Sequence, residues 1–256
     1  MYIFYSDGFF GYGQPDDFKY FSVAHFMPLI ILLIAIVMTY YKKDTIRNWK
    51  YEERFRYFYS FIMMIVEMSY FWRLLYVGDE ISQSSLLIKL PLQVCQWSLI
   101  ACMFMILSKN QKLFDFCFFV CLVFGFAALL TPTVIVRTGP TYYRYYQFFL
   151  EHELPIYAVF YMAFIHNMKP VYKNLYLTIL VLICFAFLCV YVNNRVDGAN
   201  FMYLAGYKQG AVAGDNIINH LPSGQYTRMA ILTLITISLF NILYFIWNKM
   251  SNIIYR

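Results

Sequence analysis

Two side chains in this sequence can serve as nucleophile and base, Cys95 and His152, and both lie inside apolar stretches. A thiolate is a strong nucleophile and imidazole changes charge near neutral pH, so a Cys working with a His is a combination suited to covalent acyl transfer. Pro91, shortly before Cys95, suits the first turn of a helix. That would put the sulfur about one turn from an N-terminus, where unpaired N–H groups and the dipole favour a thiolate. Further polar residues fall at membrane depth: His25, Glu67, Arg73, Gln93, Gln96, Glu151 and Glu153. An unpartnered charge there costs roughly 2.5 to 3.5 kcal/mol, so each must be paired, face a cavity or sit near a span end. Glu151 or Glu67 can orient or charge-balance His152, while Gln93, Gln96 or Thr131 can donate to an oxyanion. The structural alternatives are that Cys95 is a small apolar filler, His152 a helix-to-helix hydrogen bond, and Arg73 a side chain snorkelling to the interface. Six positions separate Glu67 from Arg73, which places them on different helix faces and argues against a direct pair.

The elements that must carry these groups are seven apolar stretches, about residues 21–41, 57–77, 90–108, 113–136, 145–165, 175–193 and 229–247. A span needs about 20 mostly apolar residues, at a rise of about 1.5 Å each, to match a hydrocarbon core of about 30 Å. The fold class expected is therefore all-α, a polytopic membrane protein with seven transmembrane helices in a single domain over residues 1–256. Hydrophobic residues make up 61% and charged residues 13%, about half the charge of a soluble domain, so an ordinary wetted surface is excluded. The first 20 residues lack a basic n-region and a small-residue cleavage site, and 21–41 is too long for an h-region, so it reads as a retained helix. Many of the 25 Tyr and 26 Phe sit near span ends, where interfacial anchoring favours them.

Orientation follows from Lys and Arg. With the N-terminus outside, the cytoplasmic loops carry twelve of them and the outer loops seven, and the first loop alone holds Lys42, Lys43, Lys50, Arg47, Arg54 and Arg56. An N-terminus outside and a C-terminus in the cytoplasm is the arrangement the positive-inside rule selects. His25, Cys95 and His152 then lie about 6, 8 and 10 Å below the outer boundary. Residues from spans one, two, three and five converge on the outer half of the membrane, which predicts a polar cavity opening there. The stretch 194–226 is longer than an ordinary connection and reads as a lid or re-entrant element. Pro28, Pro132 and Pro155 lie within spans, and Pro155 disturbs the carbonyl of Glu151 beside His152.

All six Cys (95, 102, 117, 121, 184 and 189) fall within apolar spans, so no disulfide framework is expected. The pairs 117/121 and 184/189 have no His or carboxylate at ligand spacing, so no metal is assigned. No cofactor is expected. The net charge of +6 calls for no nucleic-acid partner; it is accounted for largely by cytoplasmic loops facing anionic lipid. A cell-membrane, multi-pass location follows, and no pattern speaks to oligomeric state.

An ordered set of segments over roughly residues 10 to 245 resembles the YwaF family of bacterial integral membrane proteins and, more distantly, the eukaryotic transmembrane protein 164 acyltransferases. The segments are Phe21-Ser22-x-x-His25, Glu67, Leu90-Pro91-Leu92-Gln93-x-Cys95, Leu130-Thr131-Pro132, Gln147-Phe148-Phe149-x-x-His152 and Asn200-Phe201-Met202-Tyr203-Leu204. The resemblance implies a seven-helix fold and acyl transfer on membrane phospholipid, with Cys95 as acyl acceptor and His152 as base. His25, Glu67, Arg73, Gln93, Gln96, Thr131, Gln147 and Glu151 would line the substrate site. One departure is Gln93, where bacterial relatives tend to carry His. The expected function is thus a membrane-embedded lipid acyltransferase, or a related thiol-dependent lipid hydrolase. The alternative is a small-solute transporter or ligand-sensing receptor using the same polar cluster, although no inverted repeat supports a transporter.

Overall fold

The computed structural model describes residues 8–11, 18–77, 90–132, 139–205, 220–222 and 224–255. Among these residues the secondary structure is helical, with no strand. The elements are α1 (Val23–Tyr41), a short α2 (Lys43–Arg47), α3 (Glu52–Val77), α4 (Val94–Ser108), α5 (Gln111–Leu130), α6 (Tyr143–Ile165), α7 (Tyr172–Asn193), a 3-10 turn (Phe201–Tyr203) and α8 (Gln225–Ile254). Five of them, α1, α5, α6, α7 and α8, are long and apolar enough to cross a membrane. The protein is therefore a multi-pass integral membrane protein. α3 and α4 coincide with the other two expected spans but differ from them in kind. α3 carries Glu52, Glu53, Arg54 and Arg56 in its opening turns, and α4 has 15 residues, about 22 Å of helix against a core of about 30 Å.

Boundaries shift where polar residues continue a helix beyond the apolar run. α3 begins at Glu52 and α8 runs from Gln225 to Ile254. The expected first-turn place of Pro91 is corrected: α4 starts at Val94, with Gln93 as its extended N-cap residue. Residues 133–136, the expected end of the fourth span, lie outside the described residues, as do 206–219 and 223 of the proposed lid.

α6 is the axis of the bundle. It packs against α1, α2, α3, α4 and α5, and most of its side chains are buried, Ile156, Val159 and Met162 completely. Leu99, Met105 and Ile106 of α4 and Phe114, Phe118 and Phe119 of α5 complete the centre. α1 and α8 instead turn Ile30, Ile31, Leu33, Ile242, Phe245 and Ile246 outward. In water such a surface would be a liability; against lipid tails it is the expected exterior.

Two arginines tie off helix ends at the side opposite Cys95. Arg47 donates to the Phe164 and Ile165 carbonyls at the end of α6, and Arg56 to those of Ile106 and Leu107 at the end of α4. These are last-turn carbonyls without intrahelical partners, and a guanidinium both satisfies them and matches the negative end of the dipole. Asn110 caps the start of α5 by accepting from the Lys112 and Leu113 N–H groups.

Close approach between α5 and α6 depends on Gly125. A Cβ placed there would lie 3.1 and 3.2 Å from two carbons of Ile156 and 3.9 Å from the His152 carbonyl oxygen. A side chain here would press on Ile156, so glycine lets the two helices meet without displacing it. The same stretch, Cys121–Gly125, is one turn of π-helix inside α5, a local widening that rotates the side chains following it.

Candidate functional site

Cys95 is the second residue of α4 and is half-buried. Its backbone N–H lies in the first turn, where no intrahelical carbonyl can reach it. Gln93, just before the helix, is held on both sides: its N–H reaches Gln96 Oε1 at 3.5 Å, and its own Oε1 accepts from the Met202 N–H at 3.2 Å. The second of these contacts turns the Gln93 amide so that its NH₂ faces away from Met202. Gln96 Nε2 donates to Glu67 Oε1 on α3 at 3.0 Å, while Glu67 Oε2 is buried with no hydrogen-bond partner.

Met202 belongs to the 3-10 turn, and both Met202 and Tyr203 have left-handed backbone angles. Neither residue is Gly, so the turn is strained and must be over-determined by its surroundings. Asn193 grips Phe201 by accepting from its N–H at 2.8 Å and donating to its carbonyl at 3.1 Å. Arg228 donates to the Tyr203, Leu221 and Pro222 carbonyls. Beside this turn an apolar cleft between α5, α7 and α8 is lined by Phe124, Leu182, Ala186, Met202, Leu204 and Leu232.

His152 is buried on α6, and its Nδ1 lies 2.8 Å from the Phe148 carbonyl one turn back. A carbonyl only accepts, so Nδ1 carries the proton and the neutral ring presents Nε2 as a bare lone pair. Beside it, Glu151 Oε2 accepts from Gln147 Nε2 at 3.0 Å and from Arg144 at 3.3 Å. Arg144, one of the seven Lys and Arg residues counted above with the outer loops, is the second residue of α6 and is turned inward along it. Its spacing of seven from Glu151 is two helical turns, a signal that was available in the sequence. Gln147 Oε1 and Glu153 Oε1 are buried without partners. Cys95 lies within electrostatic reach of Glu151, Arg144 and Cys121, and Cys121 within reach of His152.

Hydrogen bonds thus join Glu67 of α3 to Gln96 and Gln93, which flank Cys95 at the start of α4, and join Gln147 to Glu151, the neighbour of His152, on α6. Three of the residues named from sequence have other engagements. Both ring nitrogens of His25 meet backbone: Nδ1 accepts from the Phe21 N–H at 3.1 Å, and Nε2 donates to the Leu129 carbonyl at 2.8 Å, locking the start of α1 to the end of α5. Arg73 donates to the Phe10 and Gly11 carbonyls, anchoring the segment before α1. Thr131 is exposed and donates to the Ala127 carbonyl of its own helix.

Two clusters escaped the sequence reading. Asp115, fully buried in α5, accepts from Gln111, Asn174 and the Val171 N–H, joining α5 to the start of α7. Cys102 of α4 meets Cys117 and Cys121 of α5, with all three sulfurs within 4.8 Å of one another. Cys117 and Cys121 are legible as a pair from their spacing along one helix, whereas a third ligand from another helix has no spacing signature.

Opposite the site, Glu52 accepts from Arg56, from Tyr161 at 2.9 Å and from His166 at 2.8 Å. Burial alone would raise the Glu52 carboxyl, but the bonds from His166, Tyr161 and Arg56 outweigh it and hold the group below its usual range. Burial also pushes the His166 imidazole below its usual value, against the pull of Glu52.

Comparison of the whole chain with protein families matches the TMEM164 family over residues 20–247. No curated protein and no solved structure matches the chain.

Proposed function

Because the chain belongs to the TMEM164 family, we propose that it is a membrane-embedded acyltransferase acting on phospholipid acyl chains, with Cys95 as nucleophile and His152 as base. The observation that carries this reading is the tautomer of His152, whose Nδ1 proton is committed to the Phe148 carbonyl so that Nε2 is the free lone pair. A buried imidazole held this way is prepared to accept a proton.

In the first half-reaction His152 Nε2 takes the thiol proton as the Cys95 sulfur bonds to the ester carbonyl carbon. The carbon–oxygen bond then breaks, and the proton passes to the departing lysolipid oxygen. In the second half-reaction an acceptor hydroxyl attacks the thioester, and its proton returns to sulfur by way of His152. Gln93 is the side chain we assign to the oxyanion, together with the backbone N–H of Cys95, because Met202 fixes the direction of its amide. Gln96 is occupied by Glu67, and Thr131 by its own helix. Glu151, with Arg144 and Gln147, sets the charge around His152. The apolar cleft beside Met202 suits an acyl chain entering from lipid.

The same reading includes seven spans in one domain, with α3 and α4 as the two shorter or more polar ones. It places the N-terminus outside, the C-terminus in the cytoplasm, and the protein in the cell membrane. The test is lipid acyl-chain remodelling in membranes carrying Cys95→Ala, Cys95→Ser or His152→Ala. Each should lose nearly all transfer while the protein remains folded, since nucleophile and base act as a unit. Full activity in Cys95→Ala would remove the nucleophile and leave the solute-binding alternative.

A further inference from the structure

We propose that Cys102, Cys117 and Cys121 form a three-sulfur site for a thiophilic closed-shell metal ion, Zn(II) or Cu(I), at the buried junction of α4 and α5. The three side chains are at most 1% exposed. Cys102 Sγ lies 3.6 Å from Cys121 Sγ, and all three sulfurs fall within 4.8 Å of one another. Sulfurs bound at about 2.3 Å to one ion are separated by about 3.8 Å in tetrahedral and about 4.0 Å in trigonal geometry. The set therefore needs movements of less than about 1 Å to close on an ion, within the reach of side-chain rotation.

Cys117 and Cys121 are one turn apart on a single face of α5. Cys121 opens the π-turn, and Cys102 approaches this face from α4. The Pro155 carbonyl of α6 lies 3.8 Å from Cys102 Sγ and offers an oxygen on the remaining side. Three thiolate ligands against a single carbonyl oxygen select soft ions over Mg(II) or Ca(II). Binding breaks three S–H bonds, forms three S–metal bonds and releases three protons to solvent, with no change of oxidation state. Zn(II) leaves a residual charge of −1 and Cu(I) of −2, so Zn(II) is the less costly occupant of a buried position.

The test uses the full chain purified in detergent with a phosphine reductant. Titration with Cd(II), the optical stand-in for Zn(II), should produce a thiolate-to-metal charge-transfer band of three-thiolate intensity that saturates at about one ion per chain. Zn(II) and Cu(I) loading followed by elemental analysis, each against a selective chelator, separates the two ions. Cys102→Ser, Cys117→Ser and Cys121→Ser should each weaken binding by about tenfold or more, and Cys184→Ser, whose residue is exposed, should not. If the serine variants fail to fold, wild type alone decides. A Zn(II) concentration of about 100 times Kd should raise its folded-to-unfolded ratio about 100-fold. Absence of the band, a band that survives Cys117→Ser, or a Cys102–Cys121 disulfide in place of bound metal would each overturn the proposal.

Discussion

Gly125→Ala tests whether the meeting of α5 and α6 holds His152 in place. In an ordinary exposed helix the change would stabilise by about 1 kcal/mol, the difference in helix propensity. At this position the added carbon would sit 3.1 and 3.2 Å from Ile156, which is completely buried and has little room to retreat. Restoring ordinary contact requires a displacement of about 0.3 Å, and overpacking of this kind costs about 1 to 3 kcal/mol. The net expectation is a loss of up to about 2 kcal/mol, because the helical gain offsets part of the clash. Ile156 is one turn from His152, so the displacement is passed to the base. Transfer should fall on the order of several-fold, since a shift of about 1 Å at a reacting group can cost about 100-fold. Thermal unfolding in detergent and acyl-chain remodelling measure the two effects. Adding Ile156→Val removes the carbon at 3.1 Å and leaves the one at 3.2 Å, so it should restore part of both, with a coupling of about 0.5 kcal/mol or more. A Gly125→Ala protein that gains about 1 kcal/mol and transfers acyl chains at the wild-type rate would refute the reasoning.

Arg56→Met deletes the bonds to Glu52 and to two α4 carbonyls. With Arg56 and Glu52 side chains 4% and 12% exposed, removing one partner should cost about 3 to 5 kcal/mol in chemical or thermal unfolding, with partial recovery in Arg56→Lys. Glu52 and His166 both have folded-state values below their unfolded ones, so the unfolded chain binds more protons and stability rises with pH. The melting temperature should decline as pH falls below about 6.5, where His166 charges in the unfolded chain, and again below about 4.3 for Glu52. His166→Gln should flatten the upper part, and an unchanged profile in that variant would count against the assignment. A reporter fused after Arg256 should read as cytoplasmic, and external access to it would invert the orientation proposed for every site residue.

By itself the sequence determined that this is a helical membrane protein and where its helices run. Those properties depend on local composition and on a rise of about 1.5 Å per residue, which no distant contact can alter. α1, α5, α6, α7 and α8 lie where the apolar stretches place them. It also supplied Cys95 and His152 as chemically able residues, because thiol and imidazole are identifiable without a fold. Only the tertiary structure decided which polar groups are available. His25 and His152 look alike in sequence, each an imidazole in the first half of an apolar helix, yet His25 spends both nitrogens on backbone while His152 spends one. Arg144 faces Glu151 rather than solvent, and Cys102 joins two sulfurs from another helix. Each of these outcomes depends on helix rotation and on contacts between segments, set by packing around α6 and by the missing side chain at Gly125.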